Sequence, residues 1–110
     1  MEFDTFVRHN LPVAALISND SSWGMVKHWK CMDYGKDRCV GTNLKPRQRY
    51  DKVVEALGGY GEYVAKIEDI KPALSRAFAS GLPACVNVEV DPSAISFVTT
   101  WLKENFIAWW

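Results

Sequence analysis

The chain has 110 residues, 48% of them apolar and 13% aromatic, which suits one compact domain with a modest core and argues against a disordered chain. Thirteen basic and thirteen acidic side chains cancel to a net charge of zero, so nothing in the balance draws the chain to nucleic acid or to a membrane surface. No apolar run approaches the roughly 20 residues of a membrane span, and Met1-Glu-Phe-Asp-Thr-Phe shows no charged-then-apolar signal pattern.

Residues 3 to 11 carry Phe3, Phe6, Val7 and Leu11 at helical spacing and stop at Asn10 and Pro12. Pro12-Val-Ala-Ala-Leu-Ile17 is short and continuously apolar, the pattern of a strand covered on both faces in a parallel sheet. Gly24 to about Met32 reads as a helix, and Tyr34 to Arg47 as irregular, broken by Gly35, Gly41 and Pro46. The basic run Lys45-Pro-Arg-Gln-Arg49 reads as a solvated loop. Tyr50, Val53, Val54 and Leu57 form the next helical face, closed by Gly58-Gly59.

Tyr63 to Ile67 reads as a short strand. Asp69 then caps a helix bearing Ile70, Ala73, Leu74, Ala77 and Phe78, with Pro72 in its first turn and Gly81 after its end. Pro83 to Val90 is a third strand, and Asp91-Pro92-Ser93 opens a last helix with Ile95, Val98, Leu102 and Phe106 inward. The alternation implies an α/β fold: a three-layer parallel sheet with helices on both faces, one domain over residues 1–110. Three strands are few for a doubly wound sheet, so the chain reads as the later portion of a larger one.

Cys31, Cys39 and Cys85 are an odd set without CxxC spacing and read as free thiols of a reducing, cytoplasmic compartment. With only His9 and His28 to join them, they make a poor zinc set. His28 itself reads as a surface or packing histidine and Trp29 as core.

The chemistry concentrates where the first strand ends. In open α/β sheets ligands gather at the carboxyl ends of strands, beside helix N-termini that favour anions. Asp20 would repel a phosphate there unless a divalent cation lay between them, and Mg²⁺ takes carboxylate, carbonyl and phosphate oxygens. The plainer reading is that Asn19 and Asp20 cap the helix and form a turn.

"NDSSWGMVKHW" resembles the second half of the thiamine diphosphate motif of the acetolactate synthase-like family, and "RYDKVVEALGGYGEYV" and "ALSRAFASGLPACVNVEVDP" resemble its continuation in the same order. The resemblance runs from about Phe3 to Pro92. It implies the C-terminal, diphosphate-binding domain of enzymes that use thiamine diphosphate and Mg²⁺ on 2-keto acids or aldehydes, by decarboxylation or carboligation. Carried over by position, Asp20 ligates the metal through its side chain and Ser22 through its backbone carbonyl. Asn19 braces the loop, Trp23, Gly24 and Met25 lie against the diphosphate, and Trp29 lines the substrate channel. No residue of this chain is implied as catalytic.

The family's metal site also needs a Gly-Asp-Gly loop upstream, and its activating glutamate comes from another domain. Neither occurs here; Gly58-Gly59-Tyr60-Gly61-Glu62 is no substitute. The resemblance therefore implies half of an Mg²⁺-diphosphate site, inactive alone and completed by further domains or a partner subunit in a homo-oligomeric enzyme. Two other readings compete: a stand-alone regulatory or binding module of receiver type, and a degenerate fragment with a structural role. A receiver gathers carboxylates around its aspartate and a lysine on a later strand. Asp20 has no acidic neighbour before Asp33, and the last strand offers Glu89 and no lysine.

Overall fold

The computed structural model describes residues 2–106, apart from the side chains of Lys103 and Phe106. They fall into two compact units: residues up to 19 with 46–90, and residues 20–45 with those from 91 onward.

The first unit holds helix α1 (Glu2–Arg8), strand β1 (Ala14–Asn19), helix α3 (Tyr50–Ala56), strand β2 (Tyr60–Val64), helix α4 (Ile70–Ala79) and strand β3 (Ala84–Glu89). Its sheet has the order β1-β3-β2, all parallel, with Ala14 and Tyr60 both opposite Ala84. The last strand in the chain is thus the central one, and Ala84 to Val88 are all buried. Alternation along β3 sends Ala84, Val86 and Val88 to one face, where they pack with Val64 against Ala73 and Ala77 of α4. The opposite face carries Cys85 and Asn87, and Asn87 bonds to Asp51 of α3. Helices therefore cover both faces, as the sequence pattern requires.

Several expectations are corrected. β1 is an edge strand with Leu16 50% exposed; its continuous apolar run does not reflect cover on both faces, and β3 alone is enclosed that way. β2 begins at Tyr60, three residues before the expected strand, because Gly58 (φ 93°) ends α3 and Tyr60 N–H already bonds Pro83 O at 2.8 Å. Gly61 lets β2 lie against the α3 backbone, where a Cβ would strike the Asp51 carbonyl. Asp69 makes no capping bond and instead closes a short 3₁₀ turn, Ile67–Asp69, that leads into α4. Phe78, placed on the inner face of α4 by spacing, is 68% exposed; the small Ala73 and Ala77 make the close contact. The Lys45–Arg49 run is not simply solvated, since Arg47 pairs with Glu89 and Arg49 with buried Asp51.

The second unit holds helix α2 (Gly24–Tyr34), a 3₁₀ turn at Lys36–Arg38 and helix α5 (Phe97–Phe106). Cys31 and Cys39 are disulfide-bonded, with Cα atoms 5.5 Å apart, so the expectation of three free thiols is corrected. The turn at Gly35 folds the chain back from the end of α2 and brings two cysteines eight residues apart within reach. Asp91 opens no helix: it folds over Ser93, accepting from its N–H at 2.8 Å and its hydroxyl at 2.7 Å, and α5 starts six residues later. Ile95 and Val98 are 46% and 58% exposed rather than inward; the Phe106 side chain lies outside the described residues. No helix among the described residues is long and apolar enough to cross a membrane.

Candidate functional site

Asn19 is the last residue of β1 and is buried. Its Nδ2 donates to the Gln48 carbonyl at 3.0 Å, and its own carbonyl accepts from Val90 N–H at 3.1 Å. The same Gln48 carbonyl takes a second bond, 2.9 Å, from Nδ2 of Asn87. Asp51 lies fully buried beneath, 3.3 Å from Asn87 Nδ2 and paired with the Arg49 guanidinium at 2.5 Å. Burial alone would raise the Asp51 pKa, but the bonds from Arg49 and Asn87 outweigh it and hold the carboxyl below its usual range. Arg49 also lies 4.9 Å above the Tyr63 ring. Tyr63 hydroxyl donates to Glu89, whose carboxylate pairs with Arg47 at 3.2 Å. The carboxyl end of this parallel sheet is therefore lined with ordered polar groups.

In the second unit, Asp20 folds over Ser22. One carboxylate oxygen accepts from Ser22 N–H at 2.9 Å and the other from Ser22 hydroxyl at 2.8 Å, an Asx turn helped by the positive φ of 54° at Ser21. Ser22 pairs with Asn43 in an isolated antiparallel bridge. The flanking bonds, Trp23 N–H to Thr42 O and Leu44 N–H to Ser21 O, make it the non-hydrogen-bonded type, so the N–H and C=O of Ser22 itself face away from residue 43. Trp23 precedes α2 without a side-chain cap. Of the plainer reading, in which Asn19 and Asp20 cap α2 and form a turn, the structure shows the turn at Asp20 but no side-chain capping bond at the start of α2.

Gly24 opens α2, and a Cβ there would collide with Oδ2 of Asp20. The absence of a side chain is what lets the carboxylate sit at the first turn of the helix. Trp23 and Met25 are 61% and 72% exposed. Trp29, one and a half turns on, is half-buried. His28 contacts the Pro92 carbonyl at 3.2 Å. The unit also has a groove of about 660 Å³ lined by Lys27, His28, Met32, Lys36 and Ile95 with the disulfide; none of residues 20–25, nor Trp29, lines it.

The donors present suit one side of an Mg²⁺ site: a carboxylate held at a helix N-terminus, a neighbouring carbonyl turned outward, and a glycine that leaves room. Among the described residues no three His, Cys, Asp or Glu side chains cluster to hold a metal. The sequence reading missed Asp51, Asn87, Arg49 and Gln48. One signal was available: Asn87 is the lone polar residue inside the apolar run Ala84–Val88, and a buried polar residue is informative.

A family model described as the C-terminal TPP binding domain of thiamine pyrophosphate enzymes matches residues 1–88. The chain belongs to this family. Its enzymes use thiamine diphosphate (thiamine pyrophosphate) with Mg²⁺. The acetolactate synthase large subunit of Mycobacterium tuberculosis is 54% identical over 93 residues, covering 84% of this chain and 17% of that protein. A 2-hydroxyacyl-CoA lyase of Oryza sativa subsp. japonica is 36% identical over 97 residues, 86% of this chain and 17% of the relative. Oxalyl-CoA decarboxylase of Escherichia coli K12 is 34% identical over 95 residues, 86% and 16%. This member of the thiamine pyrophosphate family thus spans about a sixth of the length of these relatives.

Proposed function

We propose that the chain supplies one half of the Mg²⁺-diphosphate site of a thiamine diphosphate enzyme that acts on 2-keto acids or aldehydes by decarboxylation or carboligation. We read residues 1–110 as the C-terminal part of the cofactor-binding domain; the family match over residues 1–88 supports this because it takes in segments of both compact units. The relatives are named as an acetolactate synthase, a 2-hydroxyacyl-CoA lyase and an oxalyl-CoA decarboxylase, and these names share the making or breaking of a bond beside a carbonyl. The observation that carries the site is the Asp20–Gly24 relationship, a carboxylate seated where a side chain would otherwise be.

In this reading Asp20 ligates Mg²⁺ by its carboxylate and Ser22 by its outward carbonyl. The Ser22 N–H and hydroxyl hold the carboxylate in one orientation. Asn19 braces the strand end through Gln48. Trp23, Gly24 and Met25 flank the diphosphate, with the free N–H groups of the first α2 turn favouring its charge. Trp29 flanks the substrate channel. Bound thiamine diphosphate supplies the electron sink for the bond change next to the carbonyl. The remaining metal ligands and the activating carboxylate belong to segments of the enzyme outside this sequence or on a partner subunit.

The isolated chain should accordingly bind Mg²⁺-thiamine diphosphate very weakly, with amide shifts confined to residues 19–25 in an NMR titration to millimolar cofactor. Submicromolar affinity in calorimetry would show a complete site and sink the half-site reading; no response at residues 19–25 would sink the site itself. In an assembled enzyme carrying this segment, Asp20→Ala should cost far more affinity than Asn19→Ala, whose loss of a bracing contact is worth about 10–100-fold.

A further inference from the structure

Asn87 is fully buried in the central strand among Ala84, Cys85, Val86 and Val88. Its Oδ1 is buried without a hydrogen-bond partner among the described residues, a desolvation cost that an apolar residue would not carry. Both bonds the side chain makes come from Nδ2, to Gln48 O at 2.9 Å and Asp51 Oδ1 at 3.3 Å. Turning the amide over would set an oxygen against a carbonyl and a carboxylate. Its orientation is therefore fixed by Asp51, which Arg49 keeps ionised.

The target of that orientation is the Gln48 carbonyl, the atom to which Asn19 also donates. Gln48 follows Arg47, held at φ 52°, and in this left-handed turn into α3 its carbonyl reaches both amides. We propose that Asn87 is a positioning residue: through the shared Gln48 carbonyl it fixes Asn19, and with it the end of β1 from which the chain passes to Asp20. It touches neither metal nor cofactor. The inference rests on the Mg²⁺-diphosphate reading only for its effect on affinity.

The test uses the full 110-residue chain labelled for NMR. Asn87→Leu keeps size and removes the stranded oxygen. The expected result is only a modest fall in melting temperature, since Gln48 O keeps Asn19 and Asp51 keeps Arg49, together with an upfield move of the Gln48 carbonyl carbon and Val90 amide exchange faster by about tenfold, the equivalent of one or two net hydrogen bonds. In an assembled enzyme carrying this segment, the same substitution should lower affinity for Mg²⁺-thiamine diphosphate by about tenfold or more. A large drop in melting temperature with Gln48 and Val90 unchanged would make Asn87 merely structural and overturn the proposal. If the unmutated chain shows no cofactor response, the functional reading fails, while Gln48 and Val90 still decide whether Asn87 positions Asn19. Should the variant not fold, couplings through the hydrogen bonds from Nδ2 of Asn19 and Asn87 to the Gln48 carbonyl carbon, measured in the unmutated chain, decide it: both are expected, and absence of either overturns it.

Discussion

Oδ2 of Asp20 occupies the space that a β-carbon on Gly24 would need. Glycine-to-alanine changes inside helices normally stabilise by about 1 kcal/mol. Here Gly24→Ala should instead displace the carboxylate, break its bonds to Ser22 and weaken Mg²⁺-thiamine diphosphate binding in an assembled enzyme at least as much as Asn19→Ala does. Cofactor titration against a melting curve checks it: a stabilised helix with full affinity would show that Asp20 does not need this seat.

Arg49 and Asp51 set a pH dependence. In the unmutated chain the Asp51 pKa lies below its ordinary 3.8, so the ion pair stabilises above that value and its contribution is lost as pH falls through the folded pKa. Arg49→Met leaves a buried carboxylate unpaired and should cost about 2–3 kcal/mol at pH 7, less than for a fully enclosed pair because Arg49 is half exposed. Burial then raises the Asp51 pKa above its unfolded value, reversing the sign: the deficit should shrink on acidification as the carboxyl takes up its proton. Denaturant melts at several pH values would refute this if the deficit stayed constant from neutral to pH 4.

Cys85 is fully buried, and burial, reinforced by the nearby Asp51 charge, pushes its thiol up to about 11. It should resist alkylation at pH 8 until the chain unfolds. Reducing Cys31–Cys39 should lower stability by about 2–3 kcal/mol in the chain-entropy treatment of so short a loop. Mass spectrometry of labelled thiols, with and without reductant, should count no modified cysteine in the native oxidised chain and two after reduction; three would contradict the burial of Cys85.

Trp29 separates packing from recognition. Because it is only half-buried, Trp29→Leu should cost about 1–2 kcal/mol rather than the larger penalty of an enclosed aromatic. Substrate preference should shift in an assembled enzyme. A collapse in melting temperature with unchanged selectivity would return Trp29 to the core.

The helical and strand periods marked the parallel α/β fold because alternation and i, i+3, i+4 spacing report burial directly. Edge and centre were not legible. The apolar run at β1 looks like an enclosed strand, yet pairing order places it at the edge, and order depends on contacts distant in sequence. The Asn19–Asp20 loop was legible as an abrupt change from apolar to polar residues. The layer beneath it was not: Asp51 occupies a helix position usually taken by solvent, and only the partners Arg49 and Asn87 explain its burial. The disulfide depends on the turn at Gly35, which the spacing of Cys31 and Cys39 does not reveal.

The central place of β3 has a consequence for how the protein is made. Among the described residues β1 and β2 bond to β3 and not to each other, so neither pairs within this segment until Ala84–Glu89 has left the ribosome. Sheet formation waits for that segment, and contacts between β1 and β3 must close a loop of some 70 residues, the slow kind of closure. A nascent chain stalled before Ala84 should therefore leave the β1 and β2 segments protease-sensitive. One stalled far enough beyond Val90 for β3 to have cleared the exit tunnel should acquire protection in a single step.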